Sequence, residues 1–208
     1  DIHGPIAGPD EIRKYPAPAV SFGRGAIDCA IENCDIHHAG GVSGISPIGA
    51  RIVGNRIHDA RGDGIQFAPG QDMLIEGNEI TDLYSPVAAH FDGIQFFTAN
   101  LKEAPRGIVI RRNRLLRGKG DPFQSIFANN EASLPYRGVV IEENLVAGGQ
   151  YHGISIRLAE APVIRRNYVT GDAGSLDAGR TMTPWIKLVA STEAIVTDNI
   201  TTAGPIFD

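Results

Sequence analysis

The chain has 208 residues, of which 42% are hydrophobic and 21% charged, with a net charge of −5 and an isoelectric point near 5.7. This composition excludes a disordered chain and a coiled coil, and its acidic balance argues against nucleic-acid binding, which needs a basic surface. No apolar run approaches the roughly 18 residues that a membrane-spanning helix needs.

Residues 1–19 are predicted to form an N-terminal segment or cap, because their prolines would shield an open end of the fold. The chain begins at Asp1 with neither Met nor a signal sequence, so we expect a processed or trimmed product. Cys29 and Cys34 are too few for a disulfide scaffold, and two buried free thiols are favoured over a bridge between them.

After this segment one phrase recurs: two apolar residues, two mostly polar or small ones, Asn, any residue, and an apolar residue. Successive copies are 21 to 35 residues apart, and the first carries Cys34 in place of Asn. Asn suits a stacked position because it tolerates left-handed backbone and its amide can bond the next turn. We expect a structural ladder of Asn55, Asn78, Asn113, Asn144, Asn167 and Asn199.

A second phrase, Gly-Ile followed by a polar and an apolar residue, alternates with the first. Its exact or looser copies contain Ile45, Ile65, Ile94, Ile126, Ile154 and Ile186. Each unit has short strands of period two, bounded by Gly or Asn, and no helical periodicity. Such strands, recurring once per turn of about 22 residues, predict an all-β fold over residues 20–208, a single-stranded parallel β-helix (solenoid) of about 8 turns.

These repeats resemble the right-handed β-helix superfamily of pectate-lyase-like proteins, from about Val20 to Ile200. The Ile-x-x-Asn-x-Ile turns are similar to those of alginate lyases, mannuronan epimerases, exported bacterial β-helix proteins and phage tail fibres. The resemblance implies a right-handed coil, an extracellular or periplasmic location, and carbohydrate contact, but no single reaction. The epimerases carry an Asp-Pro-His phrase where this chain has Asp121-Pro122-Phe123, so their catalytic residues are not carried over.

Insertions in the repeat predict where a ligand binds. Segments 98–107 and 128–138 lengthen the connection after the Gly-Ile strand, and segments 82–91 and 171–184 lengthen the connection before it. Loops on both flanks would make the Gly-Ile sheet the floor of a groove, which is the concave shape that ligand sites usually have.

Aligning the turns predicts which polar side chains converge on this floor. The positions two before and one after the strand Ile hold Ser43, Asp63, Asp92, Gln124 and His152, and then Ser46, Gln66, Gln95, Phe127, Ser155 and Lys187. Arg61 and His90 lie two residues before the two aspartates, so the related phrases 61–66 and 90–95 stack as neighbours. This is the densest polar group of the chain.

Two carboxylates about 5 Å apart repel, so either one takes up a proton or a cation lies between them. A proton on Asp63 or Asp92 suits a retaining glycoside hydrolase, whose two carboxyl groups are about 5–5.5 Å apart. A cation there would be Ca²⁺, which prefers carboxylate and amide oxygens, and pectate lyases bind Ca²⁺ beside an Arg base. Ordinary Asp-Gly turns and stacked glutamines explain the same residues without function.

The favoured function is that of a lyase that cleaves an acidic polysaccharide by β-elimination. Gln66 and Gln95, with or without Ca²⁺, would neutralise the uronate carboxyl group. His90 or His152 would remove the C5 proton, and Tyr151 or a histidine would protonate the leaving oxygen. The predicted catalytic residues are therefore His90, Asp92, Asp63 and His152, and the predicted substrate contacts are Gln66, Gln95, Arg61, Gln124, Tyr151, Arg157 and Lys187.

Two other hypotheses for the function stay open. The first is a glycoside hydrolase that uses the aspartate pair, and the second is a non-catalytic glycan-binding or structural β-helix of a fibre or surface protein. Because a solenoid exposes open turns at its ends, end-to-end or oligomeric packing is also expected.

Two further clusters are predicted on the other sides of the solenoid. His37 and His58 share one column and His38, Asp59 and Asp82 the next, which suits a transition metal or, as we favour, a solvated polar ladder. Arginine pairs at 111–112 and 165–166 alternate with the glutamates at 142–143, which predicts a salt-bridged surface rather than a polyanion track.

Overall fold

The computed structural model describes residues 1–4, 17–84, 90–172, 176–177 and 180–208. Within the segment 173–181 only the backbone of these residues is described. These residues form short strands and no helix, and therefore no helix of the described chain is long and apolar enough to cross a membrane. Most of the predicted N-terminal cap, and parts of the predicted insertions 82–91 and 171–184, lie outside the described residues.

Three parallel sheets run along the body. Sheet 1 consists of Pro18–Phe22, Gly40–Ile45, Ile65–Ala68, Asp92–Phe96, Gln124–Ala128, His152–Arg157, Trp185–Val189 and Ile206–Phe207. Sheet 2, before each Asn, consists of Ala30–Glu32, Arg51–Val53, Leu74–Glu76, Val109–Arg111, Val140–Glu142, Val163–Arg165 and Ile195–Thr197. Sheet 3, after each Asn, consists of Ile2–His3, Asp35–His37, Arg56–His58, Glu79–Thr81, Arg114–Leu116, Leu145–Ala147, Tyr168–Val169 and Ile200–Thr201.

Three smaller pairs lie at the corners. Ala60–Arg61 pairs with Leu83–Tyr84 and Tyr136–Arg137 with Ala159–Glu160, both parallel, while Leu176–Asp177 and Arg180–Thr181 form an antiparallel hairpin.

Each strand of a sheet pairs with the equivalent strand one turn later, so the chain coils as a parallel β-helix, as predicted. Its interior is filled by stacked apolar side chains, because inward positions of the short strands repeat at every turn. Ile65, Ile94, Ile126, Ile154 and Ile186 form such a column in sheet 1, and each is at most 1% exposed.

The asparagine ladder is confirmed. In each internal turn the backbone N–H and the Nδ2 of one Asn donate to the Oδ1 of the next, as Asn78 does to Asn113 at 3.0 and 2.9 Å. The same Nδ2 also donates to a carbonyl of the preceding turn, which for Asn78 is that of Ile52 at 2.8 Å. Left-handed backbone occurs at the residue before each Asn, such as Gly77 with φ of 65°, rather than at the Asn itself.

Cys34 begins this ladder without extending it. Its backbone N–H donates to Asn55 Oδ1 at 2.9 Å, but its thiol supplies no amide for an earlier turn. Cys34 and Cys29 are both free thiols, as predicted, but each is only half-buried where burial was expected.

One predicted copy of the Gly-Ile phrase is out of register. Val42, not Ile45, pairs with Ile65, so the alignment of Ser43 with Asp63 and of Ser46 with Gln66 is wrong by three residues. Gly44 instead lies inward, where a Cβ atom would be 2.4 Å from the ring of Phe67, and Ile45 is 38% exposed. Here glycine makes room for an aromatic ring and does not mark the start of an inward Ile column.

Candidate functional site

The outward face of sheet 1 holds two separate hollows instead of one continuous polar cluster. The first, here called the carboxyl hollow, has a volume of about 270 Å³ and is lined by Arg61, Asp63 and Gln66. Asp92 and Gln95 lie one strand further along, with Gln95 in register with Gln66. The predicted stacking of the two Asp-Gly-Ile-Gln phrases is therefore correct.

A chain of hydrogen bonds closes this group of polar side chains on itself. Gln66 Nε2 donates to Gln95 Oε1 at 2.6 Å, and Gln95 Nε2 donates to Asp92 Oδ2 at 2.6 Å. The backbone N–H of Asp92 donates to Asp63 Oδ1 at 2.7 Å. The side chains predicted to hold a uronate carboxyl group thus bind each other.

Burial shifts the acidity of both carboxyl groups. Asp92 is 1% exposed, and burial together with the nearby charge of Asp63 raises its pKa to about 8, against a lowering hydrogen bond from Gln95. Burial raises the pKa of Asp63 to about 6, partly offset by the N–H of Asp92. Asp92 Oδ1 is buried without a hydrogen-bond partner among the described residues, where a negative charge would be poorly stabilised. Asp92 therefore carries a proton at neutral pH, the first of the two outcomes expected for a close carboxyl pair.

The donors here suit Ca²⁺ poorly. That ion takes six to eight oxygen ligands, whereas Asp63 Oδ1 and Asp92 Oδ2 already accept hydrogen bonds. Among the described side chains, no three His, Cys, Asp or Glu residues meet as a metal site. The Ca²⁺ site at Asp63 and Asp92 stays a prediction without structural support.

The second hollow, here called the histidine hollow, lies toward the far end of the same face. It has a volume of about 210 Å³ and its lining includes His152, Ser155, Arg157 and Lys187. Phe127 to Asn129 form one side of it, at the start of the predicted insertion 128–138. That insertion is held against the one at 98–107, because Thr98 Oγ1 accepts the N–H of Glu131 at 2.9 Å.

Aromatic rings fix the imidazole of His152. Phe127 and Trp185 contact it edge-on, with ring centroids at 5.0 and 5.2 Å, and Tyr151 stacks on Trp185 at 5.3 Å. Burial, followed by the charges of Lys187 and His90, lowers the pKa of His152. The ring is therefore neutral at neutral pH, which is the state that a general base requires.

Cationic side chains lie at both hollows. Arg157 is exposed and Arg61 is half-buried, and neither forms an ion pair with a described residue. The Nε of Arg61 is buried and has no hydrogen-bond partner among the described residues. Lys187 is in register with Ser155, and its Nζ lies 2.5 Å from Asp208. Four strand spacings separate the strand after Arg61 from that of Lys187, or roughly 19 Å.

Three other predicted site residues fall between or beside the hollows. Gln124 is in register with Asp92 and is 8% exposed. His90 is exposed just before the strand of Asp92, close enough for its charge to affect His152. Sequence reasoning placed Ser155 in the outward column of Gln95, as the structure does, but selected neither Ser155 nor Trp185 as a site residue.

The histidine cluster on sheet 3 is a stacked ladder. His3, His37 and His58 are in register, with ring centroids 5.3 and 5.1 Å apart. His58 contacts Asp59 at 2.7 Å and Asp35 at 2.8 Å, while burial lowers the pKa of His37. This agrees with the polar ladder favoured above.

The charged residues beside the asparagine ladder also form the predicted salt-bridged surface. Glu76 binds Arg111 at 2.9 Å and Arg112 at 3.1 Å, and Glu142 binds Arg165 at 2.8 Å and Arg166 at 3.0 Å. Because these arginines are neutralised in place, the described residues of this side form no free polycationic track.

Comparison with known proteins supports the fold. The family model described as the right-handed β-helix region matches residues 11–169, which is more than half of the chain. No curated protein and no solved structure gave a significant match.

Proposed function

We propose that this chain, which belongs to the right-handed β-helix family, binds an acidic polysaccharide across sheet 1 and cleaves it by β-elimination. The observation that carries the proposal is the pair of hollows on one face, each with an arginine that has no ion-pair partner among the described residues. An unpaired guanidinium favours a carboxylate ligand, and a separation of roughly 19 Å favours a polymer over a single sugar.

The residue roles follow from the two hollows. Arg157, rather than the self-bonded Gln66 and Gln95, would neutralise a uronate carboxyl group, and Lys187 would assist once the carboxylate displaced Asp208 from it. The proton at C5 would pass to His90 or His152, and Tyr151, which is half-buried against Trp185, would protonate the leaving oxygen. Kinship with uronate lyases and an extracellular or periplasmic location are parts of this proposal.

Non-catalytic glycan binding is the second candidate function. It is favoured by the closed hydrogen-bond chain from Gln66 to Asp92, which stabilises the fold without needing a substrate. The hydrolase alternative has less support, because Asp92 is 1% exposed and its Oδ2 is already bonded.

The test is a panel of uronic-acid polysaccharides, with ultraviolet absorbance of the unsaturated product and calorimetric binding measured side by side, each with Ca²⁺ and with chelator. We expect product from at least one polymer, and about tenfold weaker binding in Arg157→Ala. Arg114→Ala, an exposed arginine of sheet 3, is the matched control and should bind normally. Single His90→Ala and His152→Ala variants identify the base.

Binding without product in the wild-type chain would select the non-catalytic function. Absence of binding to every acidic polymer, or equal binding by Arg157→Ala, would overturn the proposed site.

A further inference from the structure

The histidine hollow contains a serine hydroxyl bonded to an imidazole. Ser155 Oγ lies 2.7 Å from His152 Nδ1. The indole Nε1–H of Trp185, which can only donate, points at the same Nδ1 at 3.4 Å. Since Nδ1 accepts the indole N–H, it also accepts the Ser155 hydroxyl, and the ring carries its own proton on Nε2.

This tautomer gives His152 and His90 different roles. His152 directs its lone pair at Ser155 and presents an N–H elsewhere, so abstraction of a sugar proton falls to the exposed His90. A serine within 2.6–3.2 Å of a base whose ring is itself held in place is the arrangement that activates a nucleophile. Here the two edge-on aromatic contacts, from Phe127 and Trp185, hold the ring.

Two cationic side chains line the same cavity as Ser155, and one of them, Lys187, is paired with Asp208. Lys187 is in register with Ser155 on the adjacent strand, and Arg157 lies two residues further along the same strand as Ser155. All three residues line the cavity of about 210 Å³. Positive groups fixed beside a nucleophile stabilise the charge that develops on an attacked carbonyl oxygen.

We propose that the Ser155–His152 pair hydrolyses O-acyl esters carried by the acidic glycan. Ser155 Oγ attacks the ester carbonyl and forms the O–C bond, while its proton passes to His152 Nδ1. The sugar hydroxyl leaves with that proton, and water, deprotonated by His152, releases the acyl group as a carboxylic acid and restores Ser155. Because Ser155 is 5% exposed at the floor of the hollow, it takes a small acyl group such as acetyl.

The glycan part of this inference rests on the proposed function, but the ester chemistry does not. Hydrolysis of p-nitrophenyl acetate reports the serine chemistry without any polysaccharide, whereas polymer binding and the absorbance of unsaturated product report the proposed function. Failure of one is therefore distinguishable from failure of the other.

The experiment combines p-nitrophenyl acetate hydrolysis with labelling by a fluorophosphonate and mass spectrometry of the labelled peptide. We expect label on Ser155, and at least a 100-fold loss of hydrolysis in Ser155→Ala and in His152→Ala. Ser21→Ala, an exposed serine of sheet 1, should keep the wild-type rate. Circular dichroism and thermal unfolding verify that each variant is folded.

Hydrolysis at the wild-type rate by folded Ser155→Ala, or label on a different residue, would overturn the inference. Absence of both label and hydrolysis in the wild-type chain would do the same. If His152→Ala is unstable, His152→Gln keeps a polar side chain near Ser155 and is expected to show the same loss of hydrolysis.

Discussion

Side chains from the same two columns of sheet 1 lie at both hollows, where burial keeps an acid uncharged at one and a base uncharged at the other. Beside the carboxyl hollow, Asp92 accepts a hydrogen bond from Gln95 three residues later, and in the histidine hollow His152 is bonded to Ser155 three residues later. The first pair lies in a group that closes on itself and holds a proton on a buried acid. The second pair opens into a cavity and holds a neutral base. Equivalent backbone positions therefore hold a closed hydrogen-bonded group in one place and, under our proposal, a nucleophile with its base in the other.

The largest expected difference between the two hollows concerns how the free energy of unfolding depends on pH. The raised pKa of Asp92 means that the folded state binds a proton that the unfolded state has lost, so stability falls as pH rises from about 4 to about 8. Even half of that shift corresponds to about 3 kcal/mol. Asp92→Asn, which has no charge to desolvate, should remove the fall in stability above about pH 6 and leave the smaller fall below it that Asp63 contributes, as measured by urea unfolding at pH 4 to 8.

Asp198→Asn, at an exposed position, is the control for that experiment and should keep the wild-type slope. If stability of the wild-type chain does not fall over this pH range, Asp92 is not the protonated acid described above.

A smaller effect concerns the length of the ligand. If a polymer reaches both hollows, Arg61→Ala and Arg157→Ala should each weaken its binding by about tenfold, or about 1.4 kcal/mol. A short acidic oligosaccharide should lose affinity only with Arg157→Ala, because under the proposed function it fills only the histidine hollow. Calorimetric titration of each variant with the polymer and with the oligosaccharide measures the loss of affinity. If both variants lost the same affinity for the short ligand, the two hollows would act as one binding site.

The smallest effect tests whether Gln66 is structural. Gln66→Ala removes one side-chain hydrogen bond, to Gln95, and should cost about 1 kcal/mol of unfolding free energy. Urea unfolding measures it. Loss of polysaccharide affinity without loss of stability would instead restore Gln66 to the substrate contacts predicted from sequence.

The fold was predictable because each turn of a solenoid repeats the same pattern of residues, so the repeat is visible in the sequence. The Asn ladder fixes the phase of every turn, and Ile94 therefore pairs with Ile65 and Ile126 as expected. The copy of the Gly-Ile phrase at Ile45 was misleading because Gly44 packs beside Phe67. The Gly-Ile dipeptide alone does not reveal this packing role.

The site was only half predictable for a different reason. Alignment placed Asp92 beside Asp63, and Gln95 beside Gln66, correctly. Which of these side chains form hydrogen bonds with each other depends on their rotamers and burial. An alignment of the turns by sequence gives neither. Trp185 was missed because an irregular register puts it, rather than Pro184, opposite His152.

The asparagine ladder has a consequence for how the body behaves under load. Each internal Asn amide joins its own turn to the one before and the one after, as in Asn113, which contacts both Ile75 and Asn144. Sliding one turn against its neighbour would break these bonds together, so the body is stiff in shear. The distance between Arg61 and Lys187 along sheet 1 is therefore fixed, so under the proposed function the body would select a polymer whose charge spacing matches it.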